Sequence, residues 1–438
     1  MMSTKEKNIC IVGTGYVGMA SAIGFASLGH RVTGYDIITE RVRDLQRGVT
    51  PYKEAGIAEQ LKRHLQNGRI EFFEDIADAV RDADYAIVAV GTPAREDGSA
   101  DMSMVESAIA MLARHAPSKT TFVLRSTVPA GTSERLADEC PHDFIYAPEF
   151  LREGSAVGDF LNPDRIVVGA ATRESAGRYA ALLDSLDKPV VVTNFRNAEL
   201  IKAFSNAFLA LKVSFANEVA NMCDALDADA HAVLQGVGHD RRIGTAFLAP
   251  GIGFGGPCFE KDVKSLHHVA GNVGSGRELL AATLRVNHEQ PKRIVDMLEH
   301  ELGGLEGARI AVWGLAFKAG TDDVRDSIAL RIVHDLGSRG AHLKAYDPAV
   351  VDTHALVPCE ITSSALAALE GADALLVLTE WPEFRNIPAA AMASRLRRGV
   401  VVDGRNILDA EAIAAVGLRY RGVGRKPAAT PDGLAAVS

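Results

Sequence analysis

Cysteine is scarce in this chain. Five stand in 438 residues, at positions 10, 140, 223, 258 and 359, and no two form a Cys-x-x-Cys pair. An odd, widely spaced set argues against a disulfide framework and against a thiolate zinc site, and it fits a reducing cytoplasm. Histidines at metal-ligand spacing are missing too. His267-His268 is an isolated adjacent pair read as surface or packing, so no metal is expected. Positive charge is in deficit: the formal net charge is -9, which argues against nucleic acid or an anionic membrane surface as partner. No apolar run reaches transmembrane length, and no signal-type apolar segment follows Met1-Met2-Ser3-Thr4-Lys5-Glu6-Lys7. What is left is an ordinary globular composition, 47% hydrophobic and 24% charged, long enough for two or three domains.

Glycine, by contrast, is concentrated where chemistry could use it. The stretch Gly251-Ile252-Gly253-Phe254-Gly255-Gly256-Pro257-Cys258-Phe259-Glu260-Lys261-Asp262 sets a lone cysteine after a glycine-rich run. The periodicity from Asp262 to Ala270, with Val263, Leu266 and His267 on one face, predicts a helix beginning just after Cys258. Free N–H groups and the positive end of the helix dipole there favour a thiolate. The glycines let a bulky ligand approach the backbone.

At the start of the chain, Asn8 to Val12 reads as a buried strand. It runs into Gly13-Thr14-Gly15-Tyr16-Val17-Gly18, then a helix through Leu28, then a strand Arg31 to Tyr35 ending at Asp36. This is a complete dinucleotide-binding βαβ pattern. Gly13 permits the turn, Gly15 admits a pyrophosphate, and Gly18 lets helix and strand pack closely. Asp36 lies 18 residues beyond Gly18, where a carboxylate accepts from a ribose hydroxyl and repels a 2′-phosphate. NAD is therefore expected over NADP. Arg41 could line the adenosine edge.

Further strands are expected at Ile70 to Phe73, Tyr85 to Val90, Thr121 to Leu124, Phe144 to Ala147, Arg165 to Gly169 and Val190 to Thr193, with helices such as Met102 to His115 between them. The alternation predicts a doubly wound parallel sheet. Ligands bind beyond the carboxyl ends of such strands. There lie Gly91-Thr92-Pro93, Ser126-Thr127-Val128-Pro129 and Pro148-Glu149-Phe150-Leu151-Arg152-Glu153, with the dinucleotide loop as a fourth segment. Asn197 to Ala225 is helical without Gly or Pro, a spine between domains or a dimer seam. Lys202 and Asn206 share one of its faces; by itself such a lysine would read as a snorkelling surface residue.

A helix over Gly276 to Leu302 and a boundary at Leu302-Gly303-Gly304 follow. The opening pattern then returns: strand Ala308 to Trp313, loop Gly314-Leu315-Ala316-Phe317-Lys318, helix Val324 to Gly337, strand Ala341 to Tyr346 ending at Asp347-Pro348. Ala374 to Leu378 and Val400 to Val402 continue this second sheet, which lacks the three-glycine fingerprint and could hold another nucleotide or none. The fold class is α/β, two Rossmann-like doubly wound parallel-sheet domains joined by a long central helix. Residues 1–196 are read as the NAD-binding domain, 197–303 as a central helical dimerisation domain with the cysteine loop, 304–425 as a nucleotide-sugar-binding domain, and 426–438 as a disordered tail.

In the order and spacing of these motifs, with Ala198-Glu199-Leu200-Ile201-Lys202 among them, the chain resembles the UDP-glucose/GDP-mannose dehydrogenase family from about Asn8 to Arg425. The resemblance implies a cytoplasmic homodimer. It also implies a four-electron, NAD-dependent oxidation of a sugar C6 alcohol through a cysteine thiohemiacetal and thioester. Cys258 would be the nucleophile, Lys202 the oxyanion partner, and Asp262 with Thr127 would position water. Glu149 would be the base for hydrolysis. Gly13, Gly15, Tyr16, Val17, Gly18, Asp36, Arg41, Thr92, Pro93, Thr127, Glu153 and Arg325 would hold the cofactor. The nucleotide sugar would meet Glu149, Phe150, Leu151, Arg152, Lys202, Asn206, Phe254, Gly255, Lys318 and Arg405, with Arg242 offered across the dimer. Asp403-Gly404-Arg405-Asn406 and Thr379-Glu380-Trp381 favour UDP-glucose over GDP-mannose. A two-electron hydroxyacid dehydrogenase and a catalytically silent nucleotide-sugar binder stay open as alternatives. Two positions depart from the family pattern: Pro257 where serine is usual, and Glu260, an extra acid beside the thiolate, where Pro or Gln is common.

Overall fold

The computed structural model describes residues 6–50, 52–350 and 358–425. The stretch expected to be a disordered tail lies outside them. The chain divides into two compact units. One comprises residues 1–206 with 264–276, the other 207–263 with 277–438.

The first unit holds eight strands: β1 (Asn8–Val12), β2 (Arg31–Tyr35), β3 (Ile70–Phe73), β4 (Tyr85–Val88), β5 (Thr121–Leu124), β6 (Phe144–Tyr146), β7 (Ile166–Ala170) and β8 (Val190–Thr193). Their order is β3-β2-β1-β4-β5-β6-β7-β8. β1 takes Asn8 to Arg31 of β2 on one side and Ile9 to Tyr85 of β4 on the other, both parallel. Central strands are sandwiched on both faces, so β4 and β5 are largely apolar runs buried at every position. The doubly wound α/β architecture is as expected, with one refinement: β7 pairs antiparallel with β6, and β8 follows β7 in parallel. Apolar runs of this kind carry no sign of strand direction.

The second unit holds β9 (Arg309–Trp313), β10 (His342–Tyr346), β11 (Glu360–Ile361), β12 (Ala374–Val377), β13 (Val400–Asp403) and β14 (Arg419–Gly422), all parallel in the order β11-β10-β9-β12-β13-β14. Sequence reading missed β11 and β14. Both are short edge strands, and edges lack the apolar run that marks a central strand. The expected helix from Val324 begins later, as Ile328–Ser338. Asp326 takes a left-handed φ of 50° and Ser327 Oγ donates to Leu315 O at 2.7 Å, so these residues form a turn.

Two helices run from one unit into the other. Phe195–Ala225, 31 residues long, passes the division at Asn206; Phe259–Asn272 passes it at Val263.

Candidate active site

In the first unit the dinucleotide loop has the geometry its glycines were expected to allow. Gly13 lies at φ 91°, and a Cβ there would stand 2.9 Å from Ala89 O. A Cβ on Gly18 would fall 1.9 Å from Gly13 O, so only glycine lets helix Tyr16–Ser27 pack on its own turn. Asp36 is 5% exposed. Its Oδ2 accepts from Thr14 N at 2.8 Å, Thr14 Oγ1 at 3.0 Å and Arg41 Nη1 at 2.9 Å; its Oδ1 accepts from Ile38 N at 3.0 Å. Burial alone would raise the Asp36 carboxyl, but these backbone donors and the Arg41 charge outweigh it and hold the group below its ordinary range. Arg41 is thus tied to Asp36. The loop offers a glycine-lined cradle, N–H donors at a helix N-terminus and an accepting carboxylate, the groups an NAD molecule requires.

The neighbouring loops are stitched together by short bonds. Thr92 Oγ1 donates to Thr127 O at 2.9 Å, Ser126 Oγ donates to Val90 O at 2.7 Å, and Asp101 N donates to Pro93 O at 2.8 Å. Glu149 accepts from Leu151 N at 2.5 Å and from Lys202 Nζ at 3.1 Å. Lys202 does not snorkel. It is 4% exposed, with its ammonium 5.1 Å from the centre of the Phe150 ring. A buried lysine in its charged form needs such a partner, since breaking a buried pair strands a charge at a cost of about 3–5 kcal/mol. Arg152 is largely exposed and forks onto Asp159 at 3.0 and 2.6 Å.

In the second unit the cysteine loop is held from below by three buried amides that sequence reading missed. Asn217 Oδ1 accepts from Gly251 N at 2.8 Å, Gln290 Nε2 donates to Gly251 O at 2.9 Å, and Asn287 brackets Phe254, accepting from its N at 2.7 Å and donating to its O at 2.9 Å. The available signal was the pair Asn287 and Gln290, three apart on the same face of helix Glu278–Leu302. From above, other loops press on the glycines. A Cβ on Gly251 would meet Gly404 O at 3.0 Å, one on Gly255 would meet Asp326 O at 2.7 Å, and one on Gly256 would meet the Phe317 ring at 2.7 Å.

Phe254, Gly255, Phe317, Lys318 and Arg405 therefore belong to one cluster of loops. Arg405 Nη1 lies 3.7 Å from the Cβ position of Gly251. Its guanidinium is fixed by Nε to Leu378 O at 2.8 Å and Nη2 to Phe317 O at 3.3 Å.

Cys258 is exposed directly before helix Phe259–Asn272, with its carbonyl accepting from Asp262 N at 2.9 Å. Lys261 pairs with the buried Asp262 at 2.6 Å. Glu260, which the sequence left as an extra acid, is balanced by Arg331 at 2.9 Å. None of the five cysteines is in a disulfide. Arg325 pairs with Asp323 on the surface, and Arg242, with a side chain 88% exposed, pairs with Asp240. Among the described residues no group of His, Cys, Asp or Glu could hold a metal ion. Cys258 and Asp262 fall in the second unit, Glu149, Lys202 and Asn206 in the first.

A fourth missed residue is Glu199, 1% exposed on the long helix. Its two oxygens accept from Gly131 N at 2.6 Å and Ser133 N at 2.7 Å, anchoring the loop that carries Thr127. Burial pushes this carboxyl up despite those donors.

Three domain models of one family match in sequence order: the NAD binding domain at residues 7–187, the central domain at 196–289 and the UDP binding domain at 311–410. The UDP-glucose 6-dehydrogenase YwqF of Bacillus subtilis is 38% identical over 97% of this chain and 99% of its own. The chain belongs to the UDP-glucose/GDP-mannose dehydrogenase family. The UDP-glucose 6-dehydrogenase of Pseudomonas aeruginosa is 37% identical over 95% of this chain and 97% of its own. Among solved structures, a UDP-glucose dehydrogenase from Pyrobaculum islandicum superposes with a TM-score of 0.89 at 38% identity, covering 97% of this chain and 99% of that one. Membership makes this an NAD-dependent nucleotide-sugar dehydrogenase.

The family's UDP binding domain here repeats the turn of the NAD domain. Gly314, at φ 96°, donates to Tyr346 O at 2.8 Å, as Gly13 does to Tyr35 O at 2.9 Å. Asp347 stands where Asp36 stands. Yet its Oδ2 accepts from Leu315 N, Ala316 N and Trp381 Nε1, and its Oδ1 from Ala349 N and Val350 N. Asp347 thus carries five internal donors against the four on Asp36, and it anchors this turn.

Proposed function

We propose that the chain oxidises the C6 alcohol of UDP-glucose to UDP-glucuronate, transferring two hydrides to two NAD molecules in turn. The observation that carries this reading is Cys258, an exposed thiol at a helix start, on a glycine loop clamped by Asn217, Asn287 and Gln290. An oxidation that stopped at the aldehyde would need no such thiol. Gly13–Gly18, Asp36, Thr92, Pro93, Glu153 and Arg325 would hold NAD, which when bound would supply the hydride acceptor.

Each remaining step falls to side chains. A base takes the C6 hydroxyl proton as the first hydride leaves. The Cys258 thiolate adds to the aldehyde carbon, and Lys202 with Asn206 holds the oxyanion. Loss of the second hydride makes a thioester. Water, positioned by Asp262 and Thr127 and relieved of its proton by Glu149, cleaves the C–S bond to give the acid and the thiol. The Glu149–Lys202 pair, 3.1 Å apart, supports both assignments, because it sets the base and the oxyanion partner side by side. Lys318 and Arg405 bind the diphosphate; Phe150, Leu151, Arg152, Phe254 and Gly255 line the sugar.

UDP-glucose is preferred to GDP-mannose because a GDP-mannose dehydrogenase of Pseudomonas aeruginosa superposes with a TM-score of only 0.52 at 25% identity. A UDP-D-ManNAc dehydrogenase from Pyrococcus horikoshii, at 0.86 and 29%, is the nearer competitor.

We further read the enzyme as a cytoplasmic homodimer. Phe204, Phe208, Phe215 and Met222 are all exposed, and their spacing puts them within one narrow stripe of the long helix, with exposed Leu226 just past its end. Arg242 would then reach the partner's substrate.

The test counts NADH per sugar in a competition among UDP-glucose, UDP-N-acetylmannosamine and GDP-mannose. Two per UDP-glucose, with that substrate consumed first, is expected. Cys258→Ala should still bind NAD but form no acid. Iodoacetamide should label Cys258 first, because burial pushes Cys10 up to about 12 and Cys359 up to about 11. A Cys258→Ala enzyme making acid near the wild-type rate would remove covalent catalysis from the reading.

A further inference from the structure

One residue outside every motif above ties the cofactor turn to the loop that carries Glu149. Glu54 lies between the second and third strands of the first unit, and its two oxygens serve two different segments. Oε2 accepts the phenol proton of Tyr16, the first residue of helix Tyr16–Ser27. Oε1 accepts from Val157 N at 3.1 Å, at the start of helix Ala156–Leu161, whose own cap residue Ser155 makes no side-chain capping bond to the helix N–H groups. The Tyr16 oxygen in turn accepts from Gly154 N. A phenol has one proton to give. Donating it to Glu54 fixes the direction of the oxygen's acceptor side, and Gly154 occupies it. Burial and the adjacent Glu54 carboxylate both hold the Tyr16 phenol well above its usual range, so it stays protonated and able to donate. Tyr52 closes the same strap: its hydroxyl donates to Thr14 O at 3.2 Å and its ring meets Tyr16 edge-on at 5.6 Å.

The segment from Glu149 to Gly154 is consequently pinned at both ends. Lys202 and Leu151 N hold Glu149; Tyr16, locked by Glu54, holds Gly154 in its left-handed turn at φ 84°. Gly13 and Gly18 pack the dinucleotide turn without help from Glu54, and so does Asp36. Loss of Glu54 should therefore spare the Gly13–Gly18 turn with Asp36 and loosen the loop holding Glu149 and Glu153.

We propose that Glu54, through Tyr16, is a positioning residue for the hydrolytic half of the reaction, setting the loop that presents Glu149 to the water. The inference rests on the thioester reading given above. It makes a seated cofactor and a correctly placed base parts of one hydrogen-bonded unit.

The experiment uses Tyr16→Phe, which deletes one oxygen and leaves the Glu54 bond to Val157, together with Glu54→Ala and the double variant. Each is mixed with UDP-glucose and NAD, quenched in acid and weighed intact, and NADH is followed in the first turnovers. Expected are a kcat lowered about 10- to 100-fold by misplacement of the base, a KM for UDP-glucose within about threefold of wild type, and a burst of two NADH per site. A UDP-glucuronyl adduct on Cys258 should accumulate that wild type does not show. The double variant should be no slower than Glu54→Ala, because both changes cut one linkage.

An unchanged kcat, or a loss of every step together with no adduct, would overturn the inference, the latter assigning Glu54 a purely structural role. Should Glu54→Ala not fold, Tyr16→Phe alone decides between these outcomes. A wild-type enzyme that makes no acid at all would overturn the thioester reading and this inference with it. A normal wild type with adduct-free variants overturns this inference only.

Discussion

Replacing Asp36 should change which cofactor the enzyme accepts, and the structure sets the size of the change. Its carboxylate is ionised, nearly buried, and within 2.9 Å of Arg41. A 2′-phosphate brought to about 5 Å from that charge meets a repulsion of about 3 kcal/mol at an effective dielectric of 20. Removing it should raise the NADP kcat/KM by on the order of 100-fold. Arg41, released from its partner, then becomes a counter-ion for the same phosphate. NAD should lose in parallel: a hydrogen bond from a ribose hydroxyl to a carboxylate contributes about 1.5–3 kcal/mol, or roughly 10- to 100-fold.

Asp36→Ala also strips an acceptor from Thr14 N, which would weaken both cofactors by disturbing the turn. Asp36→Asn separates the two effects, since its carbonyl can still accept from Thr14 while the charge is gone. The assay is kcat/KM for NAD and NADP with wild type, both single variants, and Asp36→Ala combined with Arg41→Ala. Both single variants should narrow the NAD preference, and the Arg41 change should reverse part of the NADP gain. An NAD-to-NADP ratio unmoved in Asp36→Asn would refute the electrostatic argument, whatever happened to the absolute rates.

Arg405→Ala should raise the KM for UDP-glucose by roughly 10- to 100-fold, the value of one charge-assisted contact to phosphate, and Lys318→Ala should act in the same direction. Equal changes in the KM for NAD would remove both from the substrate site. Glu199→Ala should lower the unfolding free energy by about 2–4 kcal/mol, because one buried and one half-buried backbone donor lose their acceptor; a urea midpoint unchanged from wild type would contradict this. For pH, the folded Asp36 carboxyl lies below its ordinary 3.8. Its stabilising contribution is therefore present above the unfolded value and is lost as pH falls through the lower folded value. The stability gap between wild type and Asp36→Asn should hold from neutral pH down to about 4 and close only below that; a gap that closed near pH 6 would implicate another group.

The sequence by itself determined the features that short-range geometry controls. A dinucleotide turn is decided within a strand, six residues and a helix, so Gly13, Gly18 and Asp36 could be assigned roles from spacing, and the structure shows Asp36 bonded to Thr14 in that turn. The cysteine before helix Phe259–Asn272 was legible for the same reason, because helical periodicity marks where the helix begins. Tertiary structure decided everything that depends on a distant partner. Lys202 looked like a snorkelling residue until Glu149, 53 positions away, was brought to it. Glu260 looked like an unbalanced acid until Arg331, 71 positions on, paired with it. Asn217, Asn287 and Gln290 were unremarkable helix amides until the cysteine loop folded onto them, and Glu54 belonged to no pattern until Tyr16 and Val157 met it. The direction of β7 belongs with these, since a buried apolar strand reads the same in either orientation. Spacing along a chain specifies what a residue can reach within a turn or two. Which buried charge or amide finds a partner is specified only by the packing that removes it from water.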